Sequence, residues 1–377
     1  MLSNQEISRY SRHLLLSEIG MKGQEKLKNA RVLVIGAGGL GCPALLYLTA
    51  AGVGTIGIID FDIIDETNLQ RQVLFDSADI GNPKVETVKA KLLKQNPFVK
   101  IEVFNTSLST ANALELFSRY DIIIDGTDNF ATRYLVNDAC FISKKILVSG
   151  SIFKFEGQVM VFDFRKENTP TYRCLFPSPP SPELSPSCSE IGVLAVLPGI
   201  IGTLMASETI KIIVGIGEIL SGKLLMLNAL SMNIQILEFD RNPETAMVIP
   251  KTESEFKEMD YDYFCGSKQD NSIKEITVDD FELLISSHSD FQLIDVREKD
   301  ERPILELNDL KIPLNEIESR ANEIARNKKV IIFCKSGARS SRAIAVLQSN
   351  YMLKNLYNLK GGVMEWIKQT SKTQKHE

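Results

Sequence analysis

Residues 31–62 restrict the fold more than any other part of this chain. An apolar, β-branched run at 32–35 is followed at once by Gly36, Gly38 and Gly41 in G-x-G-x-x-G spacing. Pro43 and an apolar helical pattern come next, and a second apolar run at 56–59 ends in Asp60. The order predicts a buried strand, a glycine turn, a helix and a second strand, which is one βαβ unit. Such a unit places free N–H groups and the positive end of a helix where the chain turns, and glycines there let a phosphate approach the backbone. An acid about 20 residues further on, as Asp60 is, stands where a ribose hydroxyl is bound. A tight turn with no ligand would use the same glycines, but the two strands and the acid favour nucleotide binding.

The rest of the chain sets the class. With 377 residues, two or three domains are expected. A net charge of −5 offers no basic surplus for nucleic acid. The first ten residues lack the charged and apolar regions of a signal peptide. Residues 191–207 are the least polar long stretch, but they contain Pro198 and lead into Glu208 and Lys211, so a Pro-initiated core helix with its entry loop is expected there and no membrane span. The six cysteines are too dispersed for a disulfide framework, so a reduced, cytoplasmic chain is expected.

Residues 4–28 read as helical, with Arg9 and Arg12 on one face. After Asp60, a polar segment groups Asn68, Arg71 and Gln72. Arg71 suits phosphate because its planar fork donates two hydrogen bonds together. Lys84 stands in the first turn of a predicted helix, against the dipole, as if an anion compensated it. Strands are expected at 101–103, 120–125, 145–150 and 157–163. At the carboxyl end of the second of these cluster Asp125, Asp128, Asn129 and Arg133, where open α/β sheets bind ligands. A carboxylate there can hold Mg²⁺ alongside phosphate and water, or can merely cap the next helix.

GAGGLG (36–41), DFDIIDETNLQRQ (60–72), GNPKVE (81–86) and DGTDNFATR (125–133), in this order and spacing, resemble the MoeB/ThiF family over residues 5–240. The resemblance implies an α/β, Rossmann-like ATP-binding domain with a mostly parallel sheet, assigned to residues 1–240. It implies adenylation of the C-terminal glycine of a ubiquitin-like sulfur carrier ending in Gly-Gly, with release of pyrophosphate. By that resemblance Gly36, Gly38, Gly39, Gly41 and Asn129 belong to the ATP site and the residue matching Asp60 holds the ribose. Those matching Asn68, Arg71 and Lys84 hold phosphates, and Asp128 serves Mg²⁺–ATP. Arg12 reaches the partner subunit's site, which implies a homodimer. The chemistry needs charge neutralisation and in-line positioning, and no general base, because the attacking carboxylate is already ionised.

Residues 171–190 are rich in proline and serine and read as an exposed loop carrying Cys188. Family members have a cysteine there that bonds covalently to the activated carrier, as a thioester or acyl disulfide. Many also bind a structural zinc through two Cys-x-x-Cys pairs. This chain has Thr171 in place of the first cysteine, keeps Cys174, and has none in 241–250, while Cys265 is too far along to help. Four thiolates cannot be assembled from one, so no structural zinc is expected.

Residues 241–274 are polar with little periodicity and read as a linker or loosely docked arm. Regular patterns resume at 275–377. A predicted strand ends in Asp295 and Arg297, and another, 329–333, runs into Cys334 and a small-residue loop closing on a helix. A cysteine so placed meets backbone N–H groups and a helix N-terminus, both of which favour a thiolate. Arg339 follows Cys334 after four residues, one short of the phosphatase loop. The tighter loop, with IDVRE (294–298) and LKGGVMEWIK (359–368), resembles the rhodanese family, whose cysteine carries a persulfide. One departure is LNDLKIPLNEI (307–317), where rhodaneses usually have His-Ile-Pro-Gly-Ala.

Together these features lead to the expectation of an adenylyltransferase fused to a smaller α/β rhodanese domain with sulfurtransferase activity, charged by an upstream persulfide donor. Cys188, Cys334, Arg71, Asp128 and Arg339 are the expected catalytic residues. The carrier is expected to be of the molybdopterin-synthase small-subunit type, with thiamin-pathway or tRNA-thiolation carriers as alternatives. From a different class, a dinucleotide-dependent oxidoreductase would share the glycine loop and Asp60.

Overall fold

The computed structural model describes residues 1–373 except 178, 180–191, 244, 246–248, 266–272, 288, 299–300, 302–308 and 336. The chain divides into two compact units, Met1–Cys265 and Gly266–Glu377.

The first unit is built on an eight-stranded sheet. Its strands are β1 (Arg31–Ile35), β2 (Thr55–Ile59), β3 (Lys100–Phe104), β4 (Ile122–Asp125), β5 (Ile146–Phe153), β6 (Glu156–Asp163), β7 (Lys223–Asn228) and β8 (Asn233–Glu238), in the order β3-β2-β1-β4-β5-β6-β7-β8. The pairs from β3 to β5 are parallel and those from β5 to β8 antiparallel. The central strands are apolar throughout because helices cover both faces. Val32, Val34, Ile56 and Ile58 enter one core, Leu33, Ile35 and Ile59 the other.

Three short helices begin the chain: α1 (Asn4–Arg9), α2 (Ser11–Leu14) and α3 (Gly20–Asn29). Next come α4 (Gly41–Ala51), α5 (Lys84–Gln95), α6 (Ala113–Ser118), α7 (Phe130–Ile142), the single turn α8 (Tyr172–Leu175) and α9 (Val196–Val214). The expected core helix with its entry loop is α9, which begins two residues before Pro198. At 19 residues α9 is long and apolar enough to cross a membrane by length and composition. In the fold it lies on the sheet, with Leu197, Ile201 and Met205 fully buried. A side chain at Gly150 would strike Met205 Sδ at 2.3 Å, and one at Gly157 would strike Ile201 at 2.4 Å, so glycines on β5 and β6 let α9 approach.

The structure also departs from the sequence reading at 241–274. Helices α10 (Glu253–Glu258) and α11 (Tyr261–Phe264) occupy this stretch, and Phe256, Tyr261 and Cys265 are buried in the first unit's core. Three apolar contacts spaced through a polar segment show no period, but they are enough to dock it.

The second unit is a five-stranded parallel sheet of β9 (Lys274–Ile276), β10 (Phe291–Asp295), β11 (Leu310–Lys311), β12 (Lys329–Phe333) and β13 (Leu356–Leu359), ordered β11-β10-β12-β13-β9. Helices α12 (Val278–Ser286), α13 (Ala338–Tyr351) and α14 (Gly362–Thr373) belong to it. Ile294, Val330 and Ile332 pack in one core, Leu293, Ile331 and Phe333 in another.

Candidate functional site

The turn between β1 and α4 is shaped by two of its glycines. Gly36 has φ +88°, and a Cβ on Gly41 would stand 1.9 Å from the Gly36 carbonyl oxygen. These two make the turn possible, while Gly36, Gly38 and Gly39 line a cleft at the carboxyl ends of the parallel strands. Asp60 braces the turn: Oδ2 accepts from the Ala37 N–H and Oδ1 from the Asp62 N–H, each at 2.8 Å. Burial raises its carboxyl above the ordinary value, against the pull of Lys84.

The cleft gathers residues from across the sequence: Asp60, Asp62, Arg71, Gln72, Lys84, Asp128, Asn129 and Arg133, with Thr106–Leu108 from the segment after β3. Lys84 is 5% exposed, and its Nζ donates to Asp62 Oδ2 at 2.7 Å. The compensating anion expected for Lys84 is thus supplied within the chain. Sequence reasoning missed Asp62, although its place two residues after Asp60 was a signal. Arg71 Nη1 donates to the Thr67 carbonyl at 3.0 Å. Gln72 Oε1 is buried and has no hydrogen-bond partner among the described residues.

The two aspartates after β4 differ. Asp125 Oδ1 accepts from the Thr127 N–H at 3.0 Å and the Thr127 hydroxyl at 2.7 Å, while its buried Oδ2 has no partner among the described residues. Burial raises its carboxyl, opposed chiefly by Arg133. Asp128 is exposed in the cleft, and its carboxylate makes no hydrogen bond or ion pair among the described residues. An uncommitted carboxylate in the same cleft as the glycine loop fits Mg²⁺, which takes one or two carboxylates and keeps its other positions for phosphate and water.

Other expected residues stand differently. Asn129 lines the cleft, but its Oδ1 caps α7 by accepting from the Thr132 N–H at 2.8 Å. Asn68 accepts from the Asp65 N–H at 3.3 Å and is not among the cleft-lining residues. Arg12 is exposed on α2 and does not line its own chain's cleft. Cys188 lies outside the described residues.

In the second unit, Cys334 is fully buried at the end of β12, and its Sγ accepts from the Gly337 N–H at 3.2 Å and faces Ser340 Oγ at 3.4 Å. Gly337 has φ +96°, and a Cβ on Gly362 would stand 2.5 Å from the Cys334 carbonyl oxygen, so both glycines are needed for the loop's path. Arg339 donates from Nη1 and Nη2 to the two oxygens of Glu301, each at 2.7 Å, and these bonds hold the Glu301 carboxyl below its ordinary value. Glu301 was not anticipated. Arg297 forms a second fork onto Asp295, buried against Phe333.

A third sulfur is built in near the start of the 171–190 loop. Cys174 Sγ accepts from the N–H groups of Thr171 and Asn242 at 3.3 Å and lies 3.4 Å from Thr245 Oγ1 and 3.6 Å from Thr171 Oγ1. Burial alone would raise this thiol, but the bonds from Thr245 and the two backbone donors outweigh it and lower it below the usual cysteine value.

Comparison with known proteins matches the ThiF family model to residues 10–247 and the Rhodanese-like domain to 277–369. The chain is 42% identical to the probable adenylyltransferase/sulfurtransferase MoeZ of Mycobacterium tuberculosis, covering 98% of this chain and 94% of that one. It is 40% identical to the adenylyltransferase and sulfurtransferase MOCS3 of Aedes aegypti over 97% and 87% of the two chains. Its N-terminal part is 45% identical to the sulfur carrier protein adenylyltransferase of Thermus thermophilus, over 70% of this chain and 98% of the relative. Among solved structures, E. coli MccB with ATP superposes with a TM-score of 0.54 at 25% identity, over 64% of this chain and 73% of that one. With its glycine loop, its cleft and its second parallel sheet, the chain belongs to the ThiF family and carries a C-terminal Rhodanese-like domain.

Proposed function

We propose that this protein adenylates the C-terminal glycine of a ubiquitin-like sulfur-carrier protein with ATP and transfers to it sulfur held on Cys334, giving a thiocarboxylate. The observation that carries the reading is the cleft itself, where a glycine loop, Arg71, Lys84 and the unpaired Asp128 carboxylate converge. The carrier's carboxylate oxygen attacks the α-phosphorus, and pyrophosphate leaves from the opposite side. Asp60 takes the ribose, Arg71 and Lys84 the phosphates, and Asp128 the Mg²⁺, which supplies neutralisation of phosphate charge. Lys84 remains available because its partner Asp62 is a half-exposed side chain in the same cleft. Arg12 of a second copy completes the site, so the working unit is a homodimer.

The Cys188 thiolate displaces AMP from the activated carrier to give a thioester. Cys334 receives sulfur from an upstream persulfide donor, and the terminal sulfur of its persulfide displaces Cys188 from the carrier to give an acyl disulfide. Two equivalents of an external thiol then reduce the S–S bond and leave as their own disulfide, which frees the thiocarboxylate and the Cys334 thiol. The names of the relatives MoeZ and MOCS3 support this pairing of activities, and that of the sulfur carrier protein adenylyltransferase supports a sulfur carrier as the substrate. A carrier of the molybdopterin-synthase small-subunit type is the leading substrate, with thiamin-pathway and tRNA-thiolation carriers activated by the same chemistry. The protein acts in the cytoplasm, without nucleic acid or membrane.

The test follows pyrophosphate exchange and carrier mass with purified protein, Mg²⁺–ATP, a Gly-Gly-ended carrier and a persulfide donor. Asp128→Ala should abolish exchange with the fold intact. Cys334→Ala should retain exchange and lose thiocarboxylate. Wild-type exchange in Asp128→Ala, or full thiocarboxylate formation in Cys334→Ala, overturns the corresponding half of the reading.

A further inference from the structure

The resemblance to the MoeB/ThiF family implies a zinc that joins the segment ending at Cys174 to the segment after residue 241. The side chains that meet there do not fit it. Zinc in a structural site takes four thiolate or imidazole ligands in a tetrahedron. Here one thiol faces two threonine hydroxyls, which stay protonated and neutral. Among the described residues no group of three or more His, Cys, Asp or Glu is placed to hold a metal ion.

We infer that a metal-free junction has taken the place of the zinc, with Cys174, Thr171 and Thr245 as its hub. Its hydrogen bonds close on themselves. Sγ accepts from the Thr171 and Asn242 N–H groups, so the thiol proton can pass to Thr245 Oγ1, which is also 2.9 Å from the Asn242 carbonyl. If the thiol is ionised, Thr245 turns its own proton to the sulfur and the network closes again. No ion is needed in either state. Thr171 and Thr245 are 1% and 5% exposed, so bulk water does not substitute for these bonds.

A buried ion pair next to the hub holds the same turn from its other side. Arg173 donates to Asp138 on α7 at 2.7 and 3.1 Å, and both residues are fully buried. Asp138 also accepts from the Tyr261 hydroxyl and from Asn137 Nδ2, each at 2.9 Å. Asn137 Oδ1 in turn accepts from the Tyr172 N–H at 2.9 Å. The turn at 171–174 is thereby tied to α7, to 242–245 and to α11, which is the task a bound metal would perform.

The hub nevertheless keeps metal-like spacing. Thiolates around a zinc with bonds of about 2.3 Å stand about 3.8 Å apart, and the two hydroxyl oxygens are 3.4 and 3.6 Å from Sγ. Two substitutions should therefore bring three thiolates together, enough for an open site in which water takes the fourth position of the metal ion.

The experiment uses the full chain. Protein purified from zinc-supplied cells should hold no stoichiometric zinc, and a strong chelator should leave its Tm unchanged. Cys174→Ala and Thr245→Val should each lower Tm of the first unit by roughly 2–4 °C, and Cys174→Ser, which keeps an acceptor, should recover part of the loss. Thr171→Cys/Thr245→Cys should bind one Co²⁺ with thiolate charge-transfer absorption that the parent lacks. One zinc per wild-type chain, a chelator-induced fall in Tm, or single variants as stable as the parent overturns the inference. Failure of the folded double variant to take Co²⁺ overturns the spacing argument. If the double variant does not fold, the zinc content and chelator scan of the wild type decide.

Discussion

At the residue scale, the cleft sets ligand contacts against the fold's own bonds. Asn129 and Asn68 show the balance, since each spends its side-chain oxygen on a local cap. Asp125 shows the opposite, a buried carboxylate with one oxygen unserved among the described residues. Its raised pKa means that the folded state holds the proton more tightly than the unfolded state. Stability must then fall as pH rises from the unfolded value of 3.8 toward the folded one, with a slope approaching about 1.4 kcal/mol per pH unit. Asp125→Asn keeps the acceptor for Thr127 and removes the charge. It should raise the Tm of the nucleotide-free protein at neutral pH, and the gain should shrink as pH falls, as scanning calorimetry across pH 7 to about 4 would show. A gain independent of pH would contradict the burial argument. That the glycine loop, Asp60, Arg71 and Asp128 would line one cleft was legible because motif and strand pattern are local. The Lys84–Asp62 and Arg339–Glu301 pairs were not, because each partner lies 22 or 38 residues away and only the folded chain joins them.

At the element scale, α9 packs closely against the end of the glycine loop and the start of α4. A Cβ at Gly202 would lie 2.3 Å from the Leu40 carbonyl oxygen and 2.5 Å from Pro43 Cγ, whereas one at Gly199 meets nothing within 4 Å. Gly202→Ala should therefore push α9 off α4, destabilise the first unit by about 1–3 kcal/mol and weaken ATP binding. Gly199→Ala, on the same helix, should be neutral or stabilising by up to about 1 kcal/mol. Denaturant unfolding and nucleotide titration of the two variants check this, and equal effects would remove the close approach as the cause. Strands β1, β2 and β4 were readable as unbroken apolar runs. The exposed β8 was not, since Ile234, Ile236 and Leu237 carry no clean alternation toward a core. The docking of α10 and α11 was hidden for a related reason: Phe256 and Tyr261 act singly in a polar sequence, and burial of one ring needs no period.

At the scale of the whole molecule, the shared-site reading makes a countable prediction. If Arg12 serves the neighbouring copy, an Arg12→Ala chain and an Asp128→Ala chain are each inactive, yet a mixed dimer contains one intact site. Random mixing should restore about a quarter of wild-type pyrophosphate exchange, since about half the dimers are mixed and each has one good site of two. No recovery, or a protein monomeric by sedimentation, rules out the shared site. The two units also have separate cores, and that separation bears on how damage to the chain would be felt. A cavity in the second sheet lowers the stability of that sheet and leaves the first cooperative unit intact. Such a protein passes the folding checks that its larger half satisfies, and goes on activating carrier for which it has no sulfur. The acyl-adenylate then hydrolyses, and a lesion that looks like loss of function becomes a continuous turnover of ATP.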